Sequence, residues 1–534
     1  MNTTKKVLAR VALLAILLPC MVTTAPAQET DPSLVELGRN VYHEGLLESG
    51  EPTRALVAGD VEVDGSQFTC VSCHRRSGMG STEGPVTALP VTAELLYGPL
   101  SAGPRKRPAY DDVTLAATLR TGVDPAGHDF GAAMPAYDLP DREMTGLIAY
   151  MKTLSTEPSP GVEENIIHFA TVVSDGIDSS AMLAVLEQYF EDKGVDTRNQ
   201  TRRSRTGTWY REQYDTAYRR WKLHTWELKG NSDTWRKQLE AFYRARPVFA
   251  LISGQVEGSW EPVHRFCEEN GIPSILPNTD DPVRDADSWY TLYYSEGYKL
   301  VAAAVADHVQ NAGKHGTILQ VYREAGPGAA LGDALKRELS DGMEVVDYPL
   351  TGASGLDPGK LLSKIRKTGA DTLVLWLESG DLGTGDWLQK MDESVTLYLS
   401  TTTLGGDPAA VPELFRKAAY LVHPYTLPAD RKQREVRVTS WLRKNDIAYS
   451  DPQIMGQTWF ACLVAGEGLM HVRFGDYYRD FFMESVEHIS ERIQPFSTQY
   501  PAPSFGPGQR YLSKGCYVAA PSAGEALSAE WVVP

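Results

Sequence analysis

The sequence predicts a multidomain protein in which an all-α domain comes first and an α/β region of two lobes follows. The chain has 534 residues, and one hydrophobic core usually serves only about 100–200 residues. Apolar residues recur at helical spacing in the first part of the chain. Beyond the Pro- and Gly-containing segment 155–162, short apolar runs alternate with helical patterns, which is typical of parallel sheets covered by helices on both faces.

The first region opens and closes with a predicted helix. Asp31 can cap the first helix and Pro32 suits its first turn. The apolar face of this helix is formed by Leu34, Leu37, Gly38, Val41 and Tyr42. Further helices are predicted over 111–121 and 141–154, where apolar residues repeat every three or four positions.

The second region reads as alternating strands and helices. Predicted strands cover 166–173, 223–228, 248–252, 274–276, 317–321, 344–348 and 372–377. Predicted helices between them cover 179–193, 233–244, 260–270, 298–310, 329–339 and 358–367. One sheet rarely uses a chain of this length, so two lobes are expected.

The N-terminus has the pattern of a cleaved targeting signal. Basic residues precede the apolar run Val11–Leu18, and Ala25 and Ala27 supply the small residues for cleavage before Gln28. The run is shorter than the roughly 20 residues that span a bilayer, and no later segment is long and apolar enough to do so. We therefore expect a periplasmic protein with no membrane span in the mature chain. The expected division is a signal peptide over 1–27, the all-α domain over 28–154, a linker over 155–162, the α/β region over 163–525 and a C-terminal tail over 526–534.

Cys70, Cys73 and His74 form a C-x-x-C-H motif, the pattern of c-type haem attachment. Two thiols at this spacing can add to the two vinyl groups of one porphyrin, which places the adjacent imidazole under the iron. A redox pair or half of a zinc site would use the same residue types, but the sequence has no second C-x-x-C. The motif therefore predicts one covalently attached haem c with His74 as an iron ligand.

A second iron ligand is expected later in the chain. Met134 precedes Pro135 in a loop ahead of the last helix of the region, and a thioether donor there would favour ferrous iron. His128 lies in the same loop and is the alternative. We expect Met134 to be the sixth ligand.

Residues 31–154 resemble a class I c-type cytochrome domain, through the N-terminal helix, the C-x-x-C-H motif, the Met-Pro loop and the C-terminal helix that carries Tyr150. The resemblance implies electron transfer. It also implies that both axial positions are filled, so no enzymatic chemistry on a substrate is expected.

Two basic clusters stand out in this acidic region. Arg75 and Arg76 directly follow the motif, and the second cluster is Arg105, Lys106 and Arg107. They could pair with haem propionates or form a docking rim for an acidic redox partner. A solvated loop would explain them equally well.

The second region is similar to type I periplasmic binding proteins of the Leu/Ile/Val-binding type. The similarity lies in four segments: 249–254, 271–277, 317–322 and 500–510. It implies two α/β lobes joined by three crossovers, with a ligand held in the cleft. By position, the expected ligand-binding residues are Ser259, Asn278, Thr279, Tyr293, Tyr294 and Glu378. Ordinary loop and capping roles would also account for each of them.

The segment 197–222 departs from that family. The chain has a formal net charge of −17, yet this segment carries eight Lys or Arg residues interleaved with aromatic residues such as Trp209 and Trp221. It could grip an anionic or aromatic ligand, dock onto the cytochrome region, or be a solvated insertion. Nucleic acid is not an expected partner of an exported acidic chain.

Of the six cysteines, Cys20 should leave with the signal peptide and two belong to the motif. Cys462 and Cys516 are expected to form a disulfide, since both lie near the C-terminus. Three buried thiols, with Cys267 as the third, are the alternative.

Together these features predict an exported mono-haem cytochrome that exchanges electrons with a periplasmic partner, either a dehydrogenase or another cytochrome. The second region would bind that partner or a small molecule such as an amino acid or organic anion. The alternative function is a solute receptor or redox sensor of the ABC-transporter substrate-binding type, in which the haem domain is accessory.

Overall fold

The computed structural model describes residues 31–534 except 58–60, 85, 102–105, 207–218, 284, 286, 314–315, 340–342, 353, 472–476, 491–498, 507 and 523–527. The expected signal peptide lies outside these residues. The chain divides into two compact units. The first runs to His74 and resumes over Ser81–Leu154, and the second comprises Arg75–Gly80 and Ser155–Pro534.

In the described part of the first unit there are five helices. They are α1 (Pro32–Glu44), α2 (Cys70–His74), α3 (Ala93–Leu96), α4 (Asp112–Thr121) and α5 (Asp141–Met151). The side chain of Asp31 caps α1 by accepting the Ser33 amide, as predicted. Asp111 caps α4 and forms a capping box with Thr114.

The first unit also contains strands, so the expectation of an all-α domain was wrong. The strands are β1 (Arg54–Val57), β2 (Val61–Asp64), β3 (Thr82–Glu83), β4 (Val86–Thr87) and β5 (Ala136–Asp138). They form an antiparallel sheet in the order β2-β1-β5 and a separate β3-β4 hairpin. The strands are two to four residues long and mostly exposed, too short for a clear alternation of apolar and polar residues.

Helices α1 and α5 pack at a very close crossing. A Cβ atom added to Gly38 would lie 1.9 Å from the carbonyl oxygen of Gly146, so only a glycine allows the two backbones this approach. Tyr42 and Leu147, fully buried nearby, belong to the core that the crossing creates.

The second unit begins with a parallel five-stranded sheet in the order β10-β9-β8-β6-β7. Its elements are β6 (Ile166–Ser174), α6 (Ser180–Thr206), β7 (Arg220–Leu228), α7 (Trp235–Ala245), β8 (Ala250–Ile252), α8 (Glu261–Glu269), β9 (Ser274–Ile275) and β10 (Thr291–Leu292).

A second lobe follows, with a seven-stranded sheet in the order β12-β11-β13-β14-β15-β16-β17. Its elements are α9 (Tyr298–Asn311), β11 (Thr317–Arg323), α10 (Pro327–Glu338), β12 (Glu344–Leu350), α11 (Pro358–Thr368), β13 (Ala370–Trp376), α12 (Ser379–Leu382), β14 (Thr396–Ser400), α13 (Glu413–Ala418) and β15 (Ala419–His423). The chain then returns to the first lobe through α14 (Pro428–Lys444), α15 (Pro452–His471) and α16 (Arg479–Ser490). It ends in the second lobe with the antiparallel strands β16 (Cys516–Ala519) and β17 (Ala529–Val532).

The chain therefore crosses between the lobes three times, and each crossing contributes a tyrosine to one cluster. Tyr294, Tyr425 and Tyr500 come from the first, second and third crossing, and all three are buried. The rings of Tyr294 and Tyr500 stack with centroids 5.4 Å apart, and Tyr425 meets Tyr500 edge-on at 5.2 Å.

Three expectations about the second region need correction. The C-terminal segment expected as a tail holds β17, which pairs with β16. The basic segment 197–222 is not a single loop, because α6 continues to Thr206 and β7 begins at Arg220; residues 207–218 lie outside the described part. Trp221 packs against Phe169 and Phe190 beside the lobe core and is only partly exposed, so its ring is engaged within the lobe.

The expected disulfide is also wrong. All five cysteines within the described residues are free, and Cys267, Cys462 and Cys516 are buried. Cys462 belongs to the core beneath the first sheet, whereas Cys516 belongs to the core of the second lobe. Among the described residues, no helix combines the length and the apolar composition needed to cross a membrane.

Candidate functional site

A cavity of about 270 Å³ lies inside the first unit, and the predicted haem residues line it together. The lining residues that bear on its chemistry are Cys70, Cys73, His74, Leu89, Met134 and Tyr137. Much of the remaining wall is apolar, as expected of a pocket for a large, mostly apolar group.

Helix α2 presents the two thiols. Cys70 and Cys73 are three residues apart on this helix, so both fall on one side of it. Burial raises the pKa of the Cys70 thiol to about 12, so the thiol is protonated before any attachment. The hydroxyl of Tyr137 donates to the carbonyl of Phe68 at 2.6 Å and holds the chain just before α2 against β5.

The imidazole of His74 is oriented by the backbone. Its Nδ1 lies 2.8 Å from the carbonyl oxygen of Leu89, which fixes Nδ1 as the protonated nitrogen and leaves the Nε2 lone pair available. Burial lowers the pKa of His74, against the raising effect of the Leu89 bond. A neutral imidazole with a free Nε2 is the form that ligates iron.

Met134 lines the same cavity, but His128, the alternative iron ligand, does not. Met134 follows the short 3₁₀ turn Gly131–Ala133 in an extended conformation. His128 is absent from the described cavity wall, and its Nδ1 instead lies 2.9 Å from Oδ2 of Asp124. The geometry favours Met134 over His128, and Met134 as the sixth ligand stays a prediction.

This donor set fits a covalently attached haem. Two thiols, one oriented imidazole and one thioether line a single cavity with a largely apolar wall, and these are the donor types and the surroundings that a c-type haem requires. Within the described residues, no group of three or more His, Cys, Asp or Glu side chains is arranged to hold a metal ion by itself.

Residues 65–155 match the cytochrome c family model. That family implies covalently bound haem c, in agreement with the two thiols and the histidine of α2. The match covers the motif, the Met134 loop and α5. No curated protein matches the chain.

The rest of the chain has the fold of type I periplasmic binding proteins. A branched-chain amino acid ABC transporter protein from Thermus thermophilus, solved with bound valine, is 13% identical over 70% of this chain and 98% of its own, with a TM-score of 0.50. A leucine-binding protein from Thermotoga maritima is 11% identical over 68% and 97%, with a TM-score of 0.44. A fatty acid ABC transporter substrate-binding protein from Thermomonospora curvata is 14% identical over 71% and 95%, also with a TM-score of 0.44. Identities this low show the fold alone.

The polar residues expected in the lobe cleft have local partners in the first lobe. Ser259 accepts the amide of Glu261 at the start of α8, and Thr279 accepts the amide of Asp281. Asn278 donates to the hydroxyl of Ser253 at 2.9 Å. A turn role is therefore visible for Ser259 and Thr279, whereas Asn278 joins two segments that are 25 residues apart. Contact of these three residues with a ligand stays a prediction.

The two tyrosines of the first crossing are already engaged. The Tyr293 hydroxyl lies 2.9 Å from Nδ1 of His264, and the Tyr294 hydroxyl donates to the carbonyl of Gln457. Both rings are almost fully buried. Glu378 directly precedes α12 and makes no capping bond with its side chain.

Sequence reasoning considered Arg107 but missed Asp124, and both line the cavity. Asp124 lies in a Gly-containing turn, where a carboxylate that accepts backbone amides is common, but only the folded loop shows that it faces the cavity. Arg76 belongs to the second unit, where its guanidinium is 3.5 Å from the Asp480 carboxylate. Arg105 lies outside the described residues.

Proposed function

We propose that the chain is an exported electron-transfer protein that carries one haem c in its first unit. The observation that carries this proposal is the convergence of Cys70, Cys73, His74 and Met134 on one cavity within the segment that matches the cytochrome c family. A bound haem supplies a one-electron couple between ferric and ferrous iron. The predicted signal peptide supports a periplasmic location. Haem attachment of this type also takes place outside the cytoplasm, so the two features agree.

The residues of the first unit would hold and orient the group. Cys70 and Cys73 would attach it, His74 would ligate iron through Nε2, and Leu89 would keep the imidazole orientation through Nδ1. Met134 would supply a thioether ligand to the iron. With two protein ligands on the iron, the chain would accept and release electrons without binding oxygen or acting as an enzyme.

Electron exchange is tested by expressing the full chain in cells that mature c-type cytochromes. The ferric protein is mixed with a small one-electron reductant and then with a ferric cytochrome acceptor in a stopped-flow spectrometer. We expect reversible, stoichiometric one-electron reduction without oxygen consumption. Rapid peroxide or oxygen turnover would contradict the proposal. His74→Ala is the matched control and should remove the normal spectrum.

A second candidate function is a receptor in which the lobes bind a solute and the haem reports the redox state. The two-lobe fold shared with the Thermus thermophilus protein favours ligand binding by the second unit. Native mass spectrometry of the purified chain, followed by titration with valine and other amino acids and with organic anions, tests this function. A ligand-dependent change in haem potential would favour the receptor. Ligand-independent electron exchange with a purified dehydrogenase or cytochrome would favour the electron-transfer protein.

A further inference from the structure

Two charged side chains stand in the otherwise neutral wall of the cavity. Among the described lining residues, apart from the ligand His74, only Arg107 and Asp124 carry an ionisable charge at neutral pH. Tyr110 also lines the cavity, and the charges of both residues act on its hydroxyl. The anion and the cation thus belong to the wall of the same cavity.

Asp124 is built into the wall as an anion. Its side chain is only 2% exposed. Oδ1 accepts the amides of Ala126 and His128, each at 2.9 Å, and Oδ2 is 2.9 Å from the His128 imidazole. Burial acts to raise the pKa of the Asp124 carboxyl, but the bonds from His128 and Ala126 outweigh it and the pKa is lowered. The group therefore stays ionised at neutral pH.

Arg107 is held in place as a fixed cation. Its guanidinium donates to the carbonyls of Leu95, Leu96, Gly98 and Pro108 at 2.8–3.2 Å. The same group lies 4.2 Å from the centre of the Tyr110 ring. These carbonyl oxygens come from the end of α3, from Gly98 just beyond it and from the neighbouring Pro108. They orient the side chain without neutralising its charge, so a full positive charge remains at the cavity.

We infer that Asp124 lowers and Arg107 raises the reduction potential of the haem, so that the two residues tune the electron-transfer function in opposite directions. The inference rests on the proposed haem function. Ferric haem carries one more positive charge than ferrous haem, so a fixed anion stabilises the ferric form and a fixed cation the ferrous form. The effect is stronger in a poorly solvated cavity than in water, and charge and burial near the iron are known levers on the potential.

The Asp124→Asn substitution tests the negative charge of Asp124 by itself. An asparagine keeps the Oδ1 acceptor for the Ala126 and His128 amides, so the turn retains its backbone bonds. Asp129→Asn is the matched control, because Asp129 lies in the same turn and accepts the Gly131 amide, but it is exposed and absent from the described cavity wall. Arg107→Gln removes the cation, and Arg107→Lys keeps a positive charge there.

The measurement is a spectroelectrochemical titration of the haem-loaded full chain at one pH and ionic strength. The near-infrared band of methionine-ligated ferric haem is recorded in parallel. We expect Asp124→Asn to favour reduction about tenfold, a rise of about 59 mV for a one-electron couple, with the band intact. Arg107→Gln should shift the potential downwards, whereas Arg107→Lys and Asp129→Asn should stay close to wild type.

The inference is overturned if Asp124→Asn shifts the potential no more than Asp129→Asn does, or shifts it downwards. It is equally overturned if Arg107→Gln raises the potential, or if the Asp124→Asn shift appears only with loss of the methionine band. A wild-type chain without haem would instead defeat the proposed function, so the two failures are distinguishable.

Discussion

Nδ1 of His74 lies 2.8 Å from the carbonyl oxygen of Leu89, fifteen residues further along the chain. This bond connects the helix of the C-x-x-C-H motif with the segment 86–91, which also lines the cavity. It fixes the orientation of the imidazole before any cofactor arrives, so the protein, and not the haem, determines which nitrogen is available to the iron.

Met134→Ala should abolish methionine ligation. The near-infrared band of the ferric protein should disappear and the reduction potential should fall, because a thioether favours ferrous iron. His128→Ala is the comparison, since its imidazole is bound by Asp124, and it should keep the band. Absorption and magnetic circular dichroism spectra of both variants check this. A band that persists without Met134, or disappears only without His128, would assign the ligand elsewhere.

Gly38→Ala should destabilise the first unit. The added Cβ would collide with the carbonyl oxygen of Gly146 at 1.9 Å, and overpacking of this kind typically costs about 1–3 kcal/mol. Gly194→Ala is the control, because a Cβ there meets nothing within 4 Å and helix α6 should gain slightly from the alanine. Calorimetry of the haem-loaded proteins should show a lowered transition for Gly38→Ala alone. Equal transitions in both variants would contradict the close helix crossing.

Asp280 should make the second unit less stable as the pH rises. Burial raises the pKa of this carboxyl to about 6, against the lowering effect of a hydrogen bond with Tyr425. The folded state therefore binds the proton more tightly than the unfolded state. The contribution of this proton to the free energy of unfolding is fully present below pH about 4 and is lost as the pH rises through about 6. The change amounts to about 3 kcal/mol.

Asp280→Asn should remove this dependence. Its thermal transition should match wild type near pH 4 and exceed it near pH 8. Asp287→Asn is the control, because Asp287 is exposed and is not among the groups that shift the pKa of Asp280, and it should follow wild type at both pH values. Melting curves of the three proteins across this range provide the measurement. A wild-type advantage at pH 8 would show that the carboxylate is stabilised in the fold, contrary to this account.

The three remaining thiols should be unreactive in the native protein. Cys267, Cys462 and Cys516 are free and buried, and burial raises the pKa of each thiol, so little thiolate is available. A thiol reagent should label none of them in the folded haem-loaded chain and all three in denaturant, with or without prior reduction. Labelling of a single thiol in unreduced, denatured protein would indicate a disulfide.

The parts of this fold that were predictable depend on local sequence. Asp31 and Pro32 indicate the start of α1 in the sequence. Cys70, Cys73 and His74 lie on one short helix, and their spacing is compatible with a helix. The missed features join distant positions. Strand β1 pairs with β5, about eighty residues away, and the short strands have no alternating pattern that would reveal the pairing.

In the candidate site, too, the residues that are neighbours in sequence were predictable. The residues of the attachment motif are neighbours in sequence, so their chemistry can be read directly. Asp124 lines the cavity because the chain folds back on itself between Gly122 and Phe130, and no spacing rule indicates such a turn. The disulfide between Cys462 and Cys516 was expected because both residues lie near the C-terminus. Helix α15 and strand β16 instead place them in the cores of different lobes.

The most direct test of the central claim is the covalent attachment of haem at Cys70 and Cys73. The full chain, matured in cells that attach c-type haem, is extracted with acidified acetone and then analysed by peptide mass spectrometry. We expect the haem to stay with the protein and one haem to appear on the peptide that contains both cysteines, while a Cys70→Ala, Cys73→Ala double variant carries none. Haem that extracts freely from the wild-type chain, or a haem-free peptide over these two cysteines, would contradict the account.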